Sequence, residues 1–263
     1  AKRDFNVSPN DIDAFASTVG PGLVGCLLVG LNAAKALSLV YKKPYIGINH
    51  LQGHVCANFL ESDLKPPFIC LLVSGGHTQV IKVDDYDKQE IIASTIDDAT
   101  GEVYDKVARL MGLAYPGGIK LDKLAQIGDK TRFKLPEAKV KENEFSFSGL
   151  KTAALRIVQQ YKKEDLPIND ICASFQERIT STLINKTKKL ADKYNIKTIV
   201  LSGGVAANSE LRKKLFNLQQ EGYQTFAPKM KFCTDNAAMV ASCAYFNPIK
   251  TEDSLVLEAF SRN

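Results

Sequence analysis

Two histidines stand four residues apart between Ile48 and Val55, and they are two of only three histidines in the chain. Residues i and i+4 share one face of a helix, so His50 and His54 can direct both imidazoles at one divalent ion. Position 51 is leucine, so the glutamate of the protease signature His-Glu-x-x-His is missing. The alternative is a histidine at a helix N-terminus beside an unrelated surface histidine.

A two-histidine metal site needs a further oxygen or sulfur ligand. The best candidate is Asp235, in the polar run Thr234-Asp235-Asn236 that precedes an apolar helical segment. The alternative for Asp235 is a capping role at the start of that helix. Cys233 is a second candidate ligand, ranked lower because its neighbours are of types that are usually buried.

Two Ser-Gly-Gly turns each follow an apolar strand-like run, at Leu72–Gly76 and at Leu201–Gly204. Glycines let backbone N–H groups approach an anion closely, so these turns, with Gly117-Gly118, predict a nucleotide held between glycine-rich edges. Asp105 and Asp122 are candidates for hydrogen bonds to ribose hydroxyls. Each turn alone is more often only a turn, and each aspartate alone is more often a surface carboxylate.

The elements that must position these residues alternate between apolar strands and helices, which is typical of an α/β architecture. The periodicity predicts helices at 23–41, 50–60, 99–111, 121–127, 150–161, 168–194, 209–220 and 235–245. It predicts strands at 11–19, 45–48, 68–73, 78–83, 90–95, 198–201 and 225–227.

The composition is that of an ordinary globular protein, with 263 residues, 45% of them hydrophobic, and a net charge of +5. The six cysteines are scattered without a Cys-x-x-Cys pair, which favours buried free thiols. The apolar run Gly22–Leu31 is too short and too interrupted by glycine to predict a membrane span. The sequence therefore predicts no membrane association.

Eight motifs occur in a fixed order and resemble those of the tRNA N6-adenosine threonylcarbamoyltransferase family, formerly described as O-sialoglycoprotein endopeptidases. The resemblance runs from about Val19 to Val240, and the motif at 145–152 is similar to bacterial or organellar members. The motifs are Gly-Pro-Gly-Leu-Val-Gly (20–25), Asn-His-Leu-Gln-Gly-His (49–54), Leu-Val-Ser-Gly-Gly-His-Thr (72–78), Asp-Asp-Ala-Thr-Gly-Glu-Val-Tyr-Asp-Lys (97–106), Tyr-Pro-Gly-Gly (115–118), Phe-Ser-Phe-Ser-Gly-Leu-Lys-Thr (145–152), Ser-Gly-Gly-Val-Ala-Ala-Asn (202–208) and Cys-Thr-Asp-Asn (233–236).

The resemblance implies an α/β fold of the actin-like, sugar kinase and Hsp70 ATPase type with two lobes. It implies transfer of a threonylcarbamoyl group from threonylcarbamoyl-adenylate to N6 of adenosine 37 in tRNAs reading codons that begin with A, with release of AMP. One divalent metal per subunit, iron or zinc, would be bound by His50, His54 and Asp235 and would act as a Lewis acid. The implied adenylate-binding residues are Leu72, Val73, Ser74, Gly75, Gly76, Asp105, Gly118, Asp122 and Asn208. No general base is predicted.

The resemblance also implies a lobe division, partners and a compartment. Residues 1–65 are expected to be the remainder of the first lobe, shortened at its N-terminus, and 66–263 the second lobe with a helical insertion and the adenylate site. Asp235 would then face the histidines across a cleft. The expected partners are tRNA, a shorter paralogue and a small P-loop ATPase in bacteria, or a second copy in mitochondria. The expected location is the cytoplasm, or the mitochondrial matrix.

Two residues depart from the family pattern, and three other functions stay open. Gln52 stands where a glutamate is usual, and Ile119 where a proline is common after Gly118. A non-catalytic scaffold paralogue of the same fold would lack the two-histidine motif. A metalloprotease would need a glutamate at position 51. A small-molecule kinase would need a phosphate loop and a catalytic aspartate that the sequence does not show.

Overall fold

The chain forms two compact units in the computed structural model, which describes residues 7–249 and 253–261. The first unit joins the residues up to Asp63 with those from Asp235 onward, and the second runs from Leu64 to Thr234. The expected second lobe, 66–263, differs from this division because the residues after Asp235 pack in the first unit. There the Ile249 N–H donates to the Gly47 carbonyl at 3.0 Å and the Phe260 N–H to the Val19 carbonyl at 3.0 Å.

The first unit is built on a parallel pair of strands joined by a helix. Its elements are β1 (Phe15–Gly20), α1 (Val24–Tyr41), β2 (Tyr45–Asn49), α2 (His50–Cys56) and α8 (Ala237–Phe246), with short 3-10 helices at Pro9–Asp11, Ala57–Phe59 and Ser254–Val256. Strand β1 pairs in parallel with β2, so that Phe15 lies opposite Tyr45 and Thr18 opposite Ile48. Because parallel neighbours need a crossover, α1 has to run back along this small sheet.

Helices α2 and α8 pack closely, and this contact positions the histidine pair. A side chain on Gly53 would meet Ile48 and Met239 at 3.4 and 3.7 Å, which is ordinary van der Waals contact, so Gly53 lies on the side of α2 that faces α8. The Ser242 hydroxyl on α8 donates to the Cys56 carbonyl at the end of α2 at 2.7 Å. Ile48, Cys56 and Cys243 form the apolar core beneath this pair.

Helix α1 extends ten residues beyond the apolar run Gly22–Leu31, and it is long and apolar enough, by length and composition alone, to cross a membrane. Its apolar sequence continues to Tyr41 with Lys35 as the one charged residue. Leu31, Ala34 and Ser38 are buried within the first unit, and only 17% of the helix is buried overall. Helix α1 connects the parallel strands β1 and β2, as a crossover helix of an α/β protein does. Helices in the cores of soluble proteins can have the same length and apolar composition.

The second unit is a mixed sheet flanked by helices, with the strand order β6-β5-β4-β3-β7-β8 in the described residues. Strand β3 pairs in parallel with β7 and antiparallel with β4, and β7 pairs in parallel with β8. The strands are β3 (Phe68–Val73), β4 (Thr78–Asp85), β5 (Lys88–Thr95), β6 (Glu144–Phe145), β7 (Thr198–Ser202) and β8 (Gln224–Phe226).

Five α-helices of the second unit lie between and after these strands. They are α3 (Thr100–Leu110), α4 (Gly117–Ala125), α5 (Ser148–Val158), α6 (Ile168–Lys193) and α7 (Ser209–Asn217), with short 3-10 helices at Lys163–Asp165, Gly204–Ala207, Leu218–Glu221 and Met230–Phe232. All six residues of β3 are buried, as expected for a central strand covered on both faces. One large core joins β3 and β7 to α3, α4 and α6.

Candidate functional site

The histidine pair lies at the start of α2, which begins directly after β2. The side chain of Asn49 caps this helix by accepting from the N–H groups of Leu51 and Gln52, at 2.9 and 3.3 Å. His50 is therefore the first helical residue and is not the cap. His54 follows one turn later and is 2% exposed, so it is not a chance surface histidine.

Asp235 completes a cluster with the two histidines inside the first unit. Its Oδ1 lies 3.2 Å from Nε2 of His54 and 3.5 Å from Nε2 of His50. Asn236, and not Asp235, caps α8, because its side chain accepts from the Met239 N–H at 2.8 Å. The Asp235 carboxylate is thus free of the capping role and faces the imidazoles. The expected arrangement, with Asp235 in the opposite lobe, is corrected here: all three residues belong to one compact unit.

The chemistry of this cluster fits a divalent metal. Among the described residues it is the one group of three or more possible ligands, and its ligand atoms lie within 4.8 Å of one another. Ligands about 2.1 Å from a common ion and roughly 90–110° apart lie about 3.0–3.4 Å from each other, which is close to the two distances from Asp235 Oδ1 to the imidazoles, 3.2 and 3.5 Å. Two imidazoles with one carboxylate are a donor set used by both zinc and non-haem iron.

The electrostatics of the cluster favour a bound cation. The hydrogen bond from His54 holds the pKa of the Asp235 carboxyl below its usual range, the proximity of His50 lowers it further, and burial opposes both effects. The carboxylate is therefore anionic at neutral pH. Nδ1 of His54 is buried with no hydrogen-bond partner in the described part of the chain, so packing rather than a second hydrogen bond orients this ring.

Position 51 and Cys233 contribute no ligand to the cluster. Position 51 is a buried leucine, so no carboxylate follows His50 as a proteolytic mechanism would require. Cys233 is buried in the second unit, with its thiol 3.6 Å from the Lys229 carbonyl and 3.7 Å from that of Pro228. Burial raises the pKa of the Cys233 thiol, which disfavours the thiolate that a metal needs.

The two Ser-Gly-Gly turns lie side by side in the second unit. Leu72 pairs with Ser202 where β3 and β7 end together, so both turns leave the same edge of the sheet. Gly203 has φ +88°, and a side chain there would meet the Val73 carbonyl oxygen at 2.4 Å. Ligands in open α/β sheets bind at the carboxyl ends of parallel strands, and this edge has the glycines that close backbone approach requires.

The first turn is held by its own residues and by α3. The Ser74 N–H donates to the His77 carbonyl at 2.8 Å, and the Ser74 hydroxyl accepts from the His77 N–H at 3.1 Å. The Gly101 N–H, at the start of α3, donates to the Ser74 carbonyl at 3.2 Å. Gly75 and Gly76 are exposed, with open space where a side chain would be. Leu72 and Val73 are fully buried, so only their backbones can contribute to a site.

Asp105 connects α3 to the start of α4. Its Oδ1 accepts from the N–H groups of Gly117 and Gly118 at 2.8 and 3.2 Å. Gly117 packs so tightly that a side chain would meet the Ala108 β-carbon at 2.3 Å. Asp105 therefore already occupies the helix N-terminus that an anion would otherwise use, and Oδ2 is the oxygen left to meet a ligand.

Asp122 and Asn208 belong to one network, together with a residue that the sequence did not single out. Asp122 Oδ1 accepts from the Gln176 amide at 2.9 Å, from the Asn208 amide at 3.2 Å and from the Ser209 hydroxyl at 2.7 Å. The Asn208 amide also donates to Oε1 of Gln176 at 2.8 Å. The sequence signal for Gln176 is a long polar residue among the mostly apolar residues of the buried side of α6, where it is 4% exposed.

Comparison with known proteins gives the family. A family model described as tRNA N6-adenosine threonylcarbamoyltransferase matches residues 1–242. The chain belongs to that family. It is 48% identical over 258 residues to the tRNA N6-adenosine threonylcarbamoyltransferase of Caldicellulosiruptor saccharolyticus, covering 97% of this chain and 77% of the relative. The protein of the same name from Thermosipho africanus is 50% identical over 244 residues, covering 91% of this chain and 74% of that relative.

Comparison with solved structures shows which fold the chain resembles. HypF from T. kodakarensis matches with a TM-score of 0.70 at 16% identity, over 90% of this chain and 40% of that one. Component A of (R)-2-hydroxyglutaryl-CoA dehydratase from Acidaminococcus fermentans matches with a TM-score of 0.54 at 15% identity, over 93% and 80%. These likenesses concern the fold alone. The expected actin-like α/β class is confirmed, and so is the expected transferase family.

Proposed function

We propose that the chain transfers a threonylcarbamoyl group from threonylcarbamoyl-adenylate to N6 of adenosine 37 in tRNAs that read codons beginning with A. Membership of a family named for this transfer, over residues 1–242, is the observation that carries the proposal. In the reaction, a bond forms between N6 and the carbamoyl carbon. The bond from that carbon to the phosphate oxygen breaks, AMP leaves with the electron pair, and N6 loses one proton.

The proposed adenylate site is the glycine edge of the second unit with the aspartates behind it. Gly75, Gly76 and Gly203 lie at the ends of two neighbouring parallel strands, where backbone N–H groups can approach a phosphate. Asp122 and Asn208 are held by Gln176, so their orientation is fixed before a ligand arrives. Side chains that are already oriented need no reorganisation when the adenylate binds.

The proposed metal is iron or zinc, held by His50, His54 and Asp235. When bound, such an ion supplies Lewis-acid stabilisation of negative charge on a substrate oxygen. The protein contributes a buried imidazole at His54, a partly exposed one at His50 and a largely exposed carboxylate at Asp235. The exposed side of this set is where substrate has access to the ion.

The proposed function is tested with the full-length protein, synthetic threonylcarbamoyl-adenylate and an unmodified tRNA transcript. Mass spectrometry of the nucleosides should show threonylcarbamoyladenosine, with one AMP released per modified tRNA. A transcript with guanosine at position 37 is the matched control and should stay unmodified. Release of AMP without transfer to the adenosine transcript, in protein loaded in turn with iron and with zinc, would overturn the proposal.

A further inference from the structure

We propose that the exposed side of α4 is the surface that binds the tRNA. This tRNA surface consists of Arg109, Tyr115, Ile119, Lys120 and Lys123. The inference rests on the proposed function, and it adds the place on the chain where the nucleic acid lies. It follows from exposure, from unpaired charge and from the position of α4 beside the predicted adenylate residues.

The first observation is the exposure of large and cationic side chains on one short segment. Tyr115 is 80% exposed and Ile119 62% exposed, although such residues are usually at least half buried. Lys120 and Lys123 are exposed, and they lie one helical turn apart on α4. Gly117, Leu121 and Ala125 form the opposite, buried side. The segment from 115 to 123 thus keeps an aromatic ring, an isoleucine and two ammonium groups in solvent.

The second observation is that the cations of this surface have no carboxylate partners. Most lysines around it are paired, as Lys106 is with Asp98 and Glu102, and Lys130 with Glu177. No described carboxylate lies within ion-pair distance of Arg109, Lys120 or Lys123.

The two acidic residues between positions 105 and 125 form hydrogen bonds with neutral groups and form no ion pairs with these cations. Asp105 accepts from the amides of Gly117 and Gly118, and Asp122 from Gln176, Asn208 and Ser209. The three cations outnumber these two carboxylates, so the surface keeps a net positive charge, as expected for contacts to a phosphate backbone.

The third observation is the packing that brings Arg109 and Tyr115 to the start of α4. Ala108 lies against Gly117, and Asp105 holds the first two amides of α4. Arg109 follows Ala108 directly, and Tyr115 precedes Gly117 by two residues. An exposed tyrosine among cations is the combination that stacks on an unpaired base while lysines and arginines contact phosphates.

The tRNA surface lies on the same helix as part of the predicted adenylate site. Gly118 and Asp122, two predicted adenylate residues, lie on the same helix as Lys120 and Lys123. A nucleic acid bound along the exposed side of α4 is thereby within one helix of the activated acyl group. A single-stranded loop of tRNA, in which bases are unstacked, supplies both the base for Tyr115 and the phosphates for the cations.

The experiment measures binding of an unmodified tRNA anticodon arm to the full-length protein at several salt concentrations. The Lys120→Glu, Lys123→Glu double variant should bind at least about ten-fold more weakly at 0.1 M salt. Its slope of log K against log salt should fall by about 1.4–1.8, since each lost phosphate contact removes roughly 0.7–0.9. Tyr115→Ala should weaken binding by about ten-fold with the slope unchanged, because stacking is not ionic.

The matched control is the Lys162→Glu, Lys163→Glu double variant, which makes the same charge change at two exposed lysines without ion pairs to described carboxylates. It should bind the anticodon arm within two-fold of wild type. If both double variants lose the same amount of affinity for the anticodon arm, the net charge of the protein alone explains the loss and the proposal is overturned. Wild-type tRNA binding in the α4 variants, with lost binding to a protein partner, would also overturn it in favour of a protein interface.

Binding of AMP separates this proposal from the proposed function. The α4 variants should bind AMP as wild type does, and their melting temperatures should be unchanged because the substituted side chains are exposed. Loss of AMP binding together with tRNA binding would place the lysines in the adenylate site and overturn the proposal. If wild type modifies tRNA while the α4 variants bind and modify it equally well, the surface is wrong and the proposed function stands.

Discussion

Nε2 of His54 lies 3.2 Å from Oδ1 of Asp235, although one residue belongs to α2 and the other precedes α8. Two local features produce this contact. Asn236 takes over the capping of α8, and α2 packs against α8, where the Ser242 hydroxyl donates to the Cys56 carbonyl at 2.7 Å. A metal bound here would hold the C-terminal segment to the N-terminal one within a single unit. Binding of the ion therefore stabilises that unit by mass action, in addition to any chemical role.

Removing any one ligand should abolish stoichiometric metal binding. The His54→Ala variant loses the most buried of the proposed ligands, and Asp235→Ala loses the one anionic proposed ligand, so each should fall from about one bound ion per chain to less than a tenth. Elemental analysis after dialysis against trace iron or zinc measures this directly. Added zinc should raise the melting temperature of wild type and leave both variants unchanged.

Asp63→Ala is the control for this experiment, because Asp63 is an exposed carboxylate of the same unit without an ion pair to a described cation. It should keep the full metal content and the thermal shift. A variant without His54 that still holds one ion per chain, with an unchanged shift, would remove the histidine pair from the metal site.

Glu177 makes stability depend on acid pH. Burial raises the pKa of this carboxyl, but hydrogen bonds from Lys214, Ser181 and Lys130 outweigh burial and lower it to about 2. A carboxyl whose pKa is lower in the folded state contributes stability above its unfolded pKa, and that contribution disappears as the pH falls towards 2. The shift corresponds to about 3 kcal/mol at most, and partial exposure reduces this to roughly 1–2 kcal/mol.

The measurement is urea unfolding of wild type and Glu177→Gln at pH 7 and pH 3. The variant should be less stable at pH 7, and the difference should shrink by at least half at pH 3. Glu164→Gln, at an exposed carboxylate outside the ion pairs, serves as the control and should show no difference at either pH. A difference for Glu177→Gln that is constant with pH would mean that packing, and not charge, explains it.

The sequence predicted most of the secondary structure because the periodic signals are strong. Helix α6, predicted at 168–194, spans Ile168–Lys193, and strand β3 has the predicted bounds Phe68–Val73. Helix α4 was predicted to begin at 121 but begins at Gly117. A Pro-Gly-Gly run is typical of a break, but the carboxylate of Asp105, on another helix, accepts from the amides of both glycines at the start of α4. Strand β6, of two residues, was missed because its pairing with β5 is tertiary.

The histidine pair was also visible in the sequence, because the i, i+4 spacing is local. The unit to which Asp235 belongs was not visible, since it depends on the hydrogen bonds of the C-terminal segment to β1 and β2. Gln176 was missed for a similar reason. Its role depends on Asp122 and Asn208, which are distant in the chain and meet it only in the folded protein.

Alanine substitutions at three glycines should distinguish the effect of backbone strain on stability from the effect on ligand binding. Gly203→Ala should lose more than about 2 kcal/mol of stability, because it combines a positive φ with a contact of 2.4 Å to the Val73 carbonyl. Gly222→Ala has φ +84° but open space, so it should lose only about 1 kcal/mol. Gly75→Ala has neither problem and should be as stable as wild type.

Nucleotide affinity should follow a different order among the same variants. Gly75→Ala should bind AMP about ten-fold more weakly, since its methyl group enters the space where the backbone is to meet the phosphate. Gly222→Ala, outside the glycine edge, should bind AMP as wild type does. Urea unfolding and titration calorimetry give the two quantities. Unchanged AMP binding by Gly75→Ala would remove the Ser74–Gly76 turn from the adenylate site.

Gln176 is expected to act as a positioning residue for Asp122 and Asn208. Gln176→Met keeps the side-chain length but removes both hydrogen bonds, so it should cost about 1–3 kcal/mol of stability and weaken AMP binding. Gln176→Glu places a second carboxylate beside Asp122 in a buried network. Like charges raise the pKa of the pair in the folded state, so this variant should be more destabilised at pH 8 than at pH 5.

The pH dependence distinguishes a positioning role from simple packing. A cavity or steric defect at Gln176 would cost the same stability at both pH values, whereas the carboxylate pair recovers as one member binds a proton. AMP affinity of Gln176→Glu should likewise improve from pH 8 to pH 5 if the orientation of Asp122 matters for the ligand. Gln160→Glu, at an exposed position after α5, is the control and should show neither effect. If Gln176→Met binds AMP as tightly as wild type despite its lower stability, Gln176 contributes to stability only and does not position Asp122 for the ligand.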